Sequence, residues 1–284
     1  MIPAAANHLI LAVADQPPGT HPTIQVCGNL FFCTFNYDTL ISSGIAIVLT
    51  LGVGLGVAYR LGHGKPGKLQ MVLELLLNYI RNLTKEMVSD EGTEFVIPIA
   101  ATIFLFVLFA NWLDFFPLAT PVEPAAADIN LTLAMAIAVI VIVQWYSIHV
   151  LGFRGYLRRF TKPFELPLIA RVAFTPLNII EEVAKPLSLA LRLFGNIFGG
   201  LVMVYLLTLG YTAFAGSSVI QTALSPIWVV LLVAWKLFDV FLIGTIQAFI
   251  FMLLTIIYFG MAREGLEEHH GAAAHANDLR RETT

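Results

Sequence analysis

The stretch PLSLALRLFGNIFGG, residues 186–200, carries a single positive charge, Arg192, inside an apolar run long enough to cross a bilayer. A charge at the centre of a membrane costs from about 3 kcal/mol on insertion scales to well over 10 in simulations, so it is kept only for a reason. On a helix of 3.6 residues per turn, positions 181, 185, 188, 192, 196 and 199 share one face. They are Glu181, Lys185, Ser188, Arg192, Asn196 and Gly199, a polar stripe along an otherwise apolar segment. Glu181 precedes Arg192 by about 16 Å along the axis, which places the acid toward one membrane surface and Arg192 near the middle. The plainer alternative is a structural Arg192 paired with a carboxylate on a neighbouring helix, although no acid in another span stands clearly at matching depth.

Outward from this stretch the whole chain reads as membrane protein. Of 284 residues, 58% are hydrophobic and 12% charged, where a soluble domain carries about 25% charged residues. The net charge of −3 offers no attraction for nucleic acid. A bilayer core needs about 20 apolar residues per helix, and the runs at 40–59, 95–116, 129–151, 166–214 and 226–262 meet that length. The last two exceed one crossing and imply tilt or extension beyond the lipid. Residues 68–89 differ, because Leu69, Val72, Leu73, Leu76, Ile80, Leu83 and Met87 recur at helical spacing among Glu74, Arg81, Lys85 and Glu86. That pattern predicts an amphipathic interfacial helix. The expected fold is all-α: five transmembrane helices plus one surface helix.

Arginine and lysine crowd the first and third loops (Arg60, Lys65, Lys68, Arg81, Lys85; Arg154, Arg158, Arg159, Lys162, Arg171) and the end (Arg263, Arg280, Arg281). Segments 1–38, 117–128 and 215–225 hold none. Positive loops stay inside, so residues 1–38 are expected outside, 39–262 in the membrane domain, and 263–284 as a disordered cytoplasmic tail. The opening residues do not read as a cleaved signal peptide. Cys27 and Cys33 flank a Gly28-Asn29 turn signal and are either a small hairpin disulfide or two thiols.

The second long segment repeats the polar theme. Lys236, Val240 and Gln247 share a face, and Asp239 stands three residues from Lys236. Asp239 is either a proton acceptor reached from outside water or half of a Lys236–Asp239 ion pair. Asn111 and Asp114 close the second span, as path residues or as a solvated helix end. Gly52, Gly54 and Gly56 in the first span are expected to permit close helix packing. No phosphate-cradling loop, nucleophile elbow or metal-ligand set is present in the sequence, so no cofactor, metal or nucleotide is expected. The expected chemistry is charge movement.

At this point the residues resemble a known family. NIIEEVAKPLSLALRLFGNIFGG (178–200) and IQAFIFMLLTIIY (246–258), with NWLDFFP (111–117), NYDTLIS (36–42) and EEHH (267–270), are similar to subunit a of F-type ATP synthases. The resemblance covers most of the chain from Asn36 onward. It implies that the two long helices form a tilted hairpin against the rotating ring of c subunits, and that peripheral-stalk b subunits are further partners. It makes Arg192 the residue that faces each passing c-ring carboxylate, with Asn196 and Gln247 beside it. Asn111 and Asp114 then belong to an outer half-channel, and Glu181 and Glu182, with Lys185 and Ser188 on the same stretch, to an inner one. Two family positions depart from the pattern. Many members carry titratable residues nine positions after the arginine and seven before the glutamine, where this chain has Leu201 and Val240. Asp239 is the expected substitute. The implied home is a bacterial inner membrane, with protons or sodium ions as cargo. The rivals are a self-contained secondary transporter or channel and a structural anchor, and no internal repeat supports the former.

Overall fold

The computed structural model describes residues 23–25, 34–60, 67–88, 90–115, 127–161, 168–214 and 219–262. Two short strands, β1 (Thr23–Gln25) and β2 (Thr34–Asn36), pair antiparallel with Ile24 opposite Phe35. This ribbon is the one addition to the all-α expectation. Cys27 and Cys33, the residues from 263 on, and residues 116–126 and 215–218 lie outside the described residues.

Six helices follow: α1 (Tyr37–Arg60), α2 (Lys68–Met87), α3 (Asp90–Trp112, with a 3-10 turn at Leu113–Phe115), α4 (Ile129–Thr161) and α5 (Leu168–Phe214). The sixth, α6, begins as Val219–Leu237, passes through a π-helical turn at Phe238–Ile243, and continues as α-helix over 244–262. Five stretches are long and apolar enough to cross a membrane: Thr39–Val57, Thr93–Phe115, Ile129–Val150, Ile180–Thr212 and Pro226–Ala262. They match the five expected spans within a few residues, except that the apolar part of α5 begins at Ile180 rather than at 166. In α4 the apolar span ends at Val150, and Gly152 breaks the helix with φ +69°, a conformation that a residue with a Cβ resists.

The chain divides into two compact units. The first takes the ribbon and α1, the stretch Leu105–Thr132 from the end of α3 to the start of α4, and Ala190–Phe249. Within it α5 and α6 run antiparallel at close range: Asn196 meets Gln247, Gly200 meets Asp239, and Gly210 meets the Trp228 ring. A Cβ on Gly210 would stand 2.6 Å from the indole, so the small residue sets the approach, as at other membrane helix crossings. Asp128 ties the same unit together. It accepts from Asn36 Nδ2 at 2.6 Å and Thr39 Oγ1 at 3.1 Å, and its other oxygen accepts the Asn130 N–H at 2.9 Å, capping α4.

The second unit takes 62–104, 133–189 and the residues from 250 on. Tyr146 and Phe259 are buried in it edge-to-face, and the exposed Phe95 stacks on Tyr146 at 5.2 Å. Leu73, Ile80 and Thr84 give α2 its buried face, while Met71, Val72, Leu75 and Tyr79 stand exposed. Gly260 lies against the Met87 carbonyl, with no room there for a Cβ.

One packing expectation fails. Gly52, Gly54 and Gly56 are exposed, and a Cβ at any of them would meet no atom within 4 Å. Their face of α1 turns away from the helices it was expected to pack on, because the buried side of α1 is the Thr39, Ser42, Ser43, Ala46, Thr50 stripe.

Candidate functional site

The first unit holds a polar cavity between α3, α5 and α6. Asn111 and Asp114 line it from the end of α3, Asn196 and Ile197 from α5, and Asp239, Val240, Ile243, Gly244 and Gln247 from α6. Asn111 is 3% exposed and Gln247 2%, so neither is at a solvated helix end. Asn111 Nδ2 donates to the Gly244 carbonyl at 3.0 Å, and Asn196 Nδ2 donates to Gln247 Oε1 at 2.8 Å. One buried acceptor, Asn111 Oδ1, and one buried donor, Gln247 Nε2, have no partner among the described residues. Buried amides are rarely left this way, and water is their usual remaining partner.

The charges in this cavity sort unevenly. Lys236 Nζ reaches Asp114 at 2.7 Å, with side-chain exposures of 20% and 11%. The alternative Lys236–Asp239 ion pair is therefore not formed: Asp114, brought in from α3, takes the lysine instead. Asp239 is buried, and among the described residues its carboxylate makes no hydrogen bond or ion pair. It lies against Gly200, where a Cβ would stand 2.8 Å from the carboxylate carbon. Leu201 and Val240, the two positions at which the sequence lacks titratable groups, leave Asp239 as the acid in the cavity beside the paired Asp114.

Arg192 is exposed on α5, and among the described residues it has neither an ion pair nor a hydrogen bond. The structural pairing weighed from the sequence is absent there. Ser188 and Gly199 on the same stripe are exposed as well.

The second unit holds a different cluster. Lys185 Nζ stands 3.1 Å from Glu182 and 3.4 Å from Glu181, while Gln144 Nε2 of α4 donates to Glu182 Oε2 at 2.9 Å. Glu181 is 65% exposed and Glu182 only 20%, so Glu182 is the acid this unit encloses. Gln144 Oε1 is buried without a partner among the described residues. Sequence reasoning passes over Gln144, although a glutamine inside an apolar span is signal enough to question it. It also passes over Asp128, whose place directly before the apolar run from Ile129 is a helix-capping signature.

Residues 40–260 match the family described as ATP synthase A chain. A protein of Acidothermus cellulolyticus named ATP synthase subunit a is 38% identical over 263 residues, covering 91% of this chain and 86% of the relative. The subunit a of Mycobacterium ulcerans is 37% identical over 92% of this chain and 98% of its own length. That of Shewanella baltica is 34% identical over 84% and 87%.

Proposed function

The chain belongs to the ATP synthase A chain family, and on that premise we propose that its two polar clusters are two half-channels serving the carboxylates of a c-ring. As subunit a of a rotary ATP synthase it is the multi-pass stator subunit that carries protons to and from the rotor, coupling their flow to ATP synthesis. The observation that carries the proposal is Arg192, an exposed arginine on an apolar helix with no partner among the described residues. A cation left bare at such a place calls for a carboxylate from another subunit.

In the proposed path a proton enters from outside past Asn111 and Asp114 and is taken by Asp239. From there it moves past the amides of Asn196 and Gln247 to a c-ring carboxylate. Once neutral, that group no longer carries the cost of a charge in hydrocarbon and turns into the lipid. After nearly a full revolution it releases its proton toward Glu182, Glu181 and Lys185, with Gln144 and Ser188 on the way out. Arg192 keeps the two paths from joining, because a fixed cation repels a proton and favours the ionised form of the carboxylate passing it. Arginine suits this post better than lysine, since it does not lose its own proton. Each proton crossing ~100 mV yields about 2.3 kcal/mol, so several cross per ATP.

The exposed apolar residues of α2 suit a helix lying in the membrane interface. The positive loops support a reading with the N-terminal segment outside and the tail in the cytoplasm of a bacterial inner membrane, and b subunits of the peripheral stalk are further partners in it. Co-purification tests the assignment. A tagged chain is expected to bring down a small c subunit and the catalytic subunits, and to move no protons when reconstituted alone. Proton transport by the isolated chain, without those bands, assigns it instead to the self-contained transporters.

A further inference from the structure

From α6 the cavity is lined by Asp239, Val240, Ile243, Gly244 and Gln247. Ile243 and Gly244 stand four and three residues before Gln247, the repeat of one helix face, and Val240 stands seven before it in sequence. Asp239 stands eight before it, which in an unbroken helix is about 80° away from Gln247. Asp239 nevertheless reaches the cavity and lies against Gly200.

The backbone supplies the reason. Phe238–Ile243 is a π-helical turn, and the Gly244 N–H donates to the carbonyl of Asp239, five residues back instead of four. Such a turn holds one residue more than an α-turn, so the residues on either side keep their facing. Position 239 is thereby given the direction that seven-residue spacing gives in a plain helix.

The turn is held from outside as well. Asn111 Nδ2 donates to the Gly244 carbonyl at 3.0 Å. Thr245 Oγ1 donates to the Phe241 carbonyl at 2.5 Å and accepts from Trp112 Nε1 at 3.2 Å. A Cβ on Gly244 would stand 3.0 Å from Asn111 Cβ, so the end of α3 abuts the turn directly. Irregular backbone at membrane depth persists where neighbours satisfy the groups it frees.

We infer that this π turn, clamped by Asn111, Trp112 and Thr245, is a positioning device that adds Asp239 to the lining of the proton path beside Val240. The inference rests on Asp239 being the relay, as proposed above. It has a specific consequence: deleting Val240 makes the extra residue unnecessary, because Asp239 then stands seven residues before Gln247 in a plain α-helix.

The test is ATP-driven proton pumping by the assembled complex in inverted vesicles. With Val240 deleted, the complex is expected to keep at least about a third of parental pumping, since Asp239 keeps its facing. An assembled deletion variant that pumps no better than Asp239→Asn overturns the inference while leaving the relay in place. Full pumping by Asp239→Asn overturns the relay and the inference with it. Should the deletion block assembly, a cryo-EM map of the parental complex decides. A Gly244 N–H bonded to the Asp239 carbonyl supports the device, and one bonded to the Val240 carbonyl overturns it.

Discussion

Asp239 in the first unit and Glu182 in the second are both enclosed carboxylates on the long helices, yet their surroundings are built oppositely. Asp239 has no hydrogen bond or ion pair among the described residues, and the nearby lysine is taken by Asp114. Glu182 is held on one oxygen by Lys185 and on the other by Gln144. The first arrangement leaves an acid free to exchange a proton with whatever water or carboxylate reaches it. The second fixes an acid in a polar mesh, the landing place of the proposed route. Polar residues of similar kind on two membrane helices thus need not do the same work, and pairing decides which of them can.

This contrast can be broken by substitution. Asp239→Asn is expected to lower ATP-driven proton pumping by at least about 100-fold, the scale of a positioned proton-transfer group, and Glu182→Gln by only about tenfold. Dye-quench rates in inverted vesicles measure both, and a reversed order breaks the comparison. Lys236→Met should be next in effect. It strands Asp114 as an uncompensated enclosed charge, at about 3–5 kcal/mol, read as loss of the chain from the assembled complex on mild heating. Adding Asp114→Leu should restore assembly, whereas no recovery means that the pair is not what holds this corner.

Gly200→Ala is expected to displace the Asp239 carboxylate at about 1–3 kcal/mol of overpacking and to slow pumping severalfold. Gly54→Ala on α1, with open space at its Cβ, should change little, and equal effects at the two sites would count against the contact. Gln144→Leu should be mildest, weakening the mesh around Glu182 by about 1 kcal/mol and slowing pumping less than Glu182→Gln does.

Much of this architecture is legible in the order of residues alone. Span number follows from apolar length, and the five apolar runs reappear as the five spans. The stripe through Arg192 is a matter of helical period, and Asn196 and Gln247 do meet. What escapes is long-range. Nothing near Lys236 in the sequence says that it prefers Asp114, 122 residues away, to Asp239, three away. The π turn is equally hidden, because Asn111 and Trp112, which bond to Gly244 and Thr245 at its end, come from another helix. The glycines of α1 mislead for the same reason: a small residue permits close packing but does not say which side has a neighbour.

The central claim is that Arg192 keeps the two proton paths apart while engaging the rotor. Arg192→Ala in the assembled complex tests it in one set of vesicles with two readings, ATP-driven pumping and passive proton flow under an imposed potential. The account predicts that pumping is lost and that passive flow through the membrane sector rises. Pumping that survives the substitution contradicts it.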